Sequence, residues 1–146
     1  MVPALSIDRG TGSIRIGDGV WLEPNEARAS IEPRVATLLA GSRNLGNGYE
    51  WIDLRGLAFG GQPAALSVCF QGGRLQQAAW SVQLPDAPME GGWPTRDAIE
   101  SELTFVQEIL AREMAIYPGP MPWGELWSNF DAKGFMAANG LRYRHS

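Results

Sequence analysis

The stretch Pro63-Ala64-Ala65-Leu66-Ser67-Val68-Cys69-Phe70-Gln71-Gly72-Gly73-Arg74-Leu75-Gln76-Gln77-Ala78-Ala79-Trp80-Ser81-Val82-Gln83-Leu84 decides the fold class. Paired glycines accept the positive φ of a tight turn, so Gln71-Gly72-Gly73-Arg74 predicts a hairpin joining strands at 63–71 and 74–84. Leu66, Val68 and Phe70 share one face of the first strand, and Ala78, Trp80, Val82 and Leu84 share one face of the second. Ser67, Gln77, Ser81 and Gln83 point the other way, which predicts a sheet with one wetted face.

Reading outward, residues 49–59 are a third strand. Residues 41–48, with Gly41, Gly46 and Gly48, read as a loop. Before it, Ile31, Val35, Leu38 and Leu39 have helical spacing, predicting a helix over 30–40 with Pro33 in its first turn and Gly41 as its C-cap. Short strands at 13–16 and 21–24 lie among Gly10, Gly12, Gly17 and Gly19.

Downstream, the Pro- and Gly-rich connection 85–94 leads to the clearest helix, predicted over 95–117. Thr95 is its N-cap, and Ile99, Leu103, Val106, Leu110, Met114 and Tyr117 form its apolar stripe. Residues 125–130 and 135–144 read as a closing hairpin, with Gly134 at the left-handed turn position. The sum is one α+β domain over 1–146: a single antiparallel sheet of five to seven strands with two helices packed on one face.

Composition narrows the chemistry. Twelve basic residues against sixteen acids give a net charge of −4, with no basic stripe of the kind that binds nucleic acid. Residues 1–9 lack a basic leader followed by a long apolar run, and nothing approaches the ~20 apolar residues of a membrane span, so a soluble, cytoplasmic protein is expected. The one cysteine, Cys69, lies in an apolar run and reads as a small buried hydrophobe. His145 is the one histidine and sits next to the last residue, which disfavours triads and clustered-ligand metal sites. Neither catalysis nor a cofactor or metal is expected. Glu102 and Glu113 flank the apolar arc of the long helix about 16 Å apart, too far for a glycosidase-type pair. Glu50, Asp53 and Glu125 are the acids left for strands to bring face to face.

Two features point to binding. The chain has six tryptophans, and Trp93 and Trp123 lie beside prolines in the connections flanking the long helix. There they either staple those connections to the core or present exposed anchors to a partner. Between residues 86 and 113 seven acids face two arginines. Asp97 and Glu108 project from the helix face opposite Ile99, with Glu100 to one side, as a solvated face or as a surface that steers a basic protein partner. A second copy of the chain is another candidate partner. A competing reading is a small-ligand domain whose pocket, between sheet and long helix, is lined by Trp51, Trp80 or Trp127.

The segment Pro122-Trp123-Gly124-Glu125-Leu126-Trp127-Ser128-Asn129-Phe130-Asp131-Ala132-Lys133-Gly134 resembles one in small proteobacterial proteins, some of which are similar to toxin-immunity proteins. It carries no catalytic motif. The resemblance implies a cytoplasmic binder that blocks a toxin enzyme by occupying its cleft.

Overall fold

The computed structural model describes residues 2–85 and 87–144; Asp86 and His145 lie outside the described residues. In chain order the elements are β1 (Leu5–Ile7), β2 (Ile14–Ile16), β3 (Val20–Leu22), α1 (Arg28–Val35), a 3-10 turn (Ala36–Leu38), β4 (Leu39–Asn44), β5 (Tyr49–Phe59), β6 (Gln62–Gln71) and β7 (Arg74–Val82). Then come β8 (Met89–Glu90), β9 (Trp93–Pro94), α2 (Arg96–Met114), β10 (Gly119–Met121), β11 (Gly124–Asp131) and β12 (Met136–Tyr143).

The hairpin of β6 and β7 sits in the middle of a seven-stranded antiparallel sheet ordered β10-β11-β12-β7-β6-β5-β4. Gly72 and Gly73 both hold positive φ at its turn, as that geometry demands. Its register pairs Leu66 with Trp80 and Val68 with Ala78, so the apolar alternation of both strands falls on one side. Ile52 and Leu54 from β5, and Leu141 and Leu126 from β12 and β11, continue that inner face. Against it pack Ile31 and Val35 of α1 and Val106, Ile109 and Leu110 of α2, forming one continuous core. The outer face runs from Trp51 and Asp53 through Ser67, Gln77 and Ala79 to Trp127, and no described helix or strand covers it.

The large sheet is not the single sheet predicted. Among the described residues, β1, β2 and β3 form a separate three-stranded sheet, and β8 with β9 a two-stranded one. The first is tied down at a few points: an Ala4–Ala58 bridge, and the Tyr143 hydroxyl donating to Gly12 O at 2.6 Å. Its three-residue strands end in tight turns, such as the one where Asp8 Oδ1 accepts from the Gly10 and Thr11 amides, which leave too little backbone to join the large sheet. Instead Leu5, Ile7, Ile14, Ile16 and Leu22 are buried as a second layer.

Several boundaries also move. The first helix begins at Arg28 and stops at Val35, so Pro33 is in its interior, and Gly41 belongs to β4 rather than to a C-cap. The reason is non-local: the edge of β5 offers unpaired N–H and C=O groups, and Leu39–Asn44 satisfies them. β10 likewise forms against β11, with Pro120 tolerated on an edge. Ala115, at φ 56°, caps α2 in the left-handed conformation three residues before Pro118, leaving Tyr117 exposed outside the stripe. In the closing hairpin the left-handed residue is Phe135, not Gly134.

Candidate functional site

Beyond Val82 the chain leaves the sheet, with the Gln83 amide still bonded to Pro63 O at 2.8 Å. It turns through the small β8–β9 hairpin and returns to the start of α2, where Thr95 pins it twice. The Thr95 amide and hydroxyl both donate to Pro88 O at 3.1 Å, while Oγ1 accepts from the Ala98 amide at 3.2 Å. Between this strap, the end of β7 and the first turns of α2 lies a groove of about 920 Å³. Its walls are mainly apolar, with Pro63, Val82, Leu84, Ile99 and Met136 facing one carboxylate, that of Glu102.

Glu102 belongs to a network that ties α2 to three strands. Its Oε2 accepts from the Val82 amide and from Asn139 Nδ2, each at 3.2 Å. The buried Asn139 accepts in turn from the Ser128 hydroxyl at 2.7 Å, and Gln107 donates to Ser128 O at 3.0 Å. Burial pushes the Glu102 carboxyl above its ordinary range, and the two donated bonds only partly offset it. This is a single carboxylate fixed in position, with no second acid among the described residues lining the groove.

The other acids do not converge either. Glu50 turns inward to pair with Arg28, whereas Asp53 lies on the outer face with Arg43 and Ser67. Glu125 is on β11, four strands from β5 and thus about 19 Å away. Glu113 is half exposed beside Arg112. Among the described residues, no three His, Cys, Asp or Glu side chains are grouped to hold a metal ion. Cys69 is fully buried, and burial pushes its thiol up, as befits a packing residue.

Asp97, Glu100 and Glu108 are exposed and line one shallow depression of about 510 Å³ with Leu84 and Phe105. Leu84 also belongs to the groove, so the acidic depression and the apolar groove adjoin. Glu100 is partly neutralised by Arg96 at 3.0 Å, and Arg96 itself lies over the Phe130 ring. Trp93 is 68% exposed on β9, beside Pro94 of the groove wall.

Trp123 is not an exposed anchor. It is 9% exposed, its indole N–H donates to Arg9 O at 2.9 Å, and its ring meets Tyr143 edge-on. Gly12 packs so close that a Cβ there would fall 2.5 Å from the indole. The three-stranded sheet folds over this connection and buries it. None of Trp51, Trp80 and Trp127 lines the groove between sheet and long helix, although Trp80 and Trp127 border a smaller pocket of about 270 Å³ beside Ser67 and Ala79. Trp80 stacks on Phe59 on the inner side, whereas Trp51 and Trp127 lie on the outer face under Arg43 and Arg142. The groove between sheet and helix is walled by aliphatic side chains, prolines and methionines.

Sequence reasoning missed Met89, Phe135 and Met136. All three are large, apolar and exposed; Met89 and Met136 line the groove, and Phe135 follows the same turn. They follow no periodicity, so no local signal marks them.

No protein-family model, curated protein or solved structure matches the chain. No described helix is long and apolar enough to cross a membrane.

Proposed function

We propose that this is a non-enzymatic protein-binding protein, an immunity-type inhibitor that occludes a basic bacterial toxin effector. One observation carries the reading: exposed Met89 and Met136 line the groove at the start of α2, exposed Trp93 and Phe135 are the chain neighbours of its lining residues Pro94 and Met136, and the groove adjoins the depression lined by Asp97, Glu100 and Glu108. Contiguous exposed apolar surface with a charged rim is the usual mark of a docking site. Burial of the apolar side chains supplies affinity, while the acids speed encounter with a cationic surface and reject anionic ones. The net charge of −4 adds to the same field.

The test is binding of a basic protein that co-purifies with this chain from its native host, by the wild type and by the triple variant D97K/E100K/E108K. Reversal should weaken binding at least ~10-fold at low salt, with a smaller effect near 0.15 M, where the Debye length is about 8 Å. Trp93→Ala should weaken it at both salt concentrations. Unchanged binding by the triple variant sinks the electrostatic reading.

A second reading, a small-ligand domain, draws on the size of the groove, which falls within the range of about 300–1,000 Å³ for ligand pockets. Saturable binding of a neutral apolar compound there would favour it.

A further inference from the structure

We infer that the groove receives one lysine side chain of the basic partner, with Glu102 as its counter-ion. This rests on the protein-binding reading above and assigns the recognition chemistry of its centre.

Glu102 is the one charged group among the described residues lining the groove. None of the ion pairs among the described residues includes it. Both bonds it accepts fall on Oε2. Oε1 has no hydrogen-bond partner among the described residues, and the Glu102 side chain lines the groove. A half-buried carboxylate without a cation is unfavourable by itself, because burial removes water that nothing replaces. Yet Asn139, Ser128 and Gln107 hold it in one place, so a cation entering the groove meets a pre-positioned acceptor.

The geometry also selects the cation. Arginine gains its advantage from a planar fork that engages both carboxylate oxygens, and here Oε2 is already occupied by two N–H donors. An ammonium is a compact point charge that can use a single oxygen. Its four-carbon stem would lie along Val82, Leu84 and Ile99, as lysine stems do on apolar surface. The exposed side chains of Met89, Trp93 and Met136 extend beyond one alkyl chain, which favours a lysine carried on a protein over a free amine.

The experiment titrates the isotope-labelled protein by NMR with a capped Ala-Leu-Lys-Leu-Ala peptide. Three further probes carry arginine or Nε-acetyl-lysine at the centre, or are n-pentylammonium alone. The lysine peptide should shift the amides of Val82, Ala98 and Ile99 and the Asn139 side-chain amide. It should bind about 10-fold more tightly than the acetylated peptide, a difference of one charge contact. The arginine peptide and n-pentylammonium should both be weaker. Glu102→Gln, which keeps the acceptor for Val82 and Asn139, should abolish the preference for lysine.

Equal binding of the lysine and acetyl-lysine peptides by the wild type overturns the inference whether or not the variant folds. So do shifts confined to Asp97, Glu100 and Glu108, tighter binding of n-pentylammonium or arginine, or no shift at the peptide's solubility limit. The two readings separate cleanly. Glu102→Gln leaves the acidic face intact, and D97K/E100K/E108K leaves the groove intact, so each can fail alone.

Discussion

On the outer face of the large sheet Asp53 sits between the Ser67 hydroxyl at 2.6 Å and the Arg43 guanidinium at 3.0 Å. On the inner side Glu102 is wedged between α2 and strands β7 and β12, bonded to two amide groups. Burial raises both carboxyls. At Asp53 the hydroxyl and the arginine outweigh burial and hold the group below its ordinary range; at Glu102 the amides do not. A carboxylate near water and a cation is favoured as an anion, whereas one in a half-dry seam without a cation is less so. The aromatic residues divide in the same way. Trp51 and Trp127 lie half exposed under arginines, while Trp80 and Phe59 stack in the core.

The contrast is most severely tested by truncation. Phe59→Ala removes a fully buried ring from the inner face and should cost about 4 kcal/mol. Trp51→Ala, on the outer face, should cost about 1–2 kcal/mol despite its larger side chain. Urea unfolding of both variants checks this; equal losses would mean that the outer face is packed like the core.

Next in size is Asn139→Ala. It leaves the Ser128 hydroxyl and Glu102 short of a partner in the seam and should cost about 2 kcal/mol by the same measurement. A neutral result would show that the network contributes placement without stability.

The smallest effect is the pH dependence, and it has opposite signs on the two faces. A carboxyl whose folded pKa is lowered contributes stability above the ordinary carboxylate range and loses it as pH falls through the lowered value. A carboxyl whose folded pKa is raised contributes below that range and loses its contribution as pH rises through the raised value. Urea midpoints between about pH 3 and pH 8 should show Asp53→Asn flattening the acid limb of the stability profile. Glu102→Gln should gain on the wild type as pH rises toward neutrality. Two variants with parallel profiles would contradict the opposite environments.

Local pattern made part of this legible in advance. The β6–β7 hairpin is written in alternation over adjacent residues and a Gly-Gly turn, and its strands end within two residues of the predicted bounds. Thr95 as N-cap of α2 is equally local, since the bond it accepts comes from Ala98, three residues on. The edge strand β4 was hidden, because its hydrogen bonds come from β5 and its own composition is that of a loop. Among the candidate site residues, Asp97 and Glu108 were readable as an exposed face from helical periodicity, with Glu100 to one side, whereas for Trp93 the sequence left exposure and stapling to the core both open. Trp123 looked the same in sequence but is buried by Arg9 and Gly12, more than a hundred residues away along the chain.

The sequence by itself determined which side of each strand and helix is apolar, because side-chain direction repeats with a fixed local period. Only the tertiary structure decided what those sides meet. It set the N-terminal strands apart as their own layer, brought Met89 and Met136 from distant segments to one groove, and placed Glu102 in its wall with one oxygen unpartnered among the described residues. Those outcomes depend on which surfaces exclude water together, and that is a property of the assembled chain rather than of any segment in it.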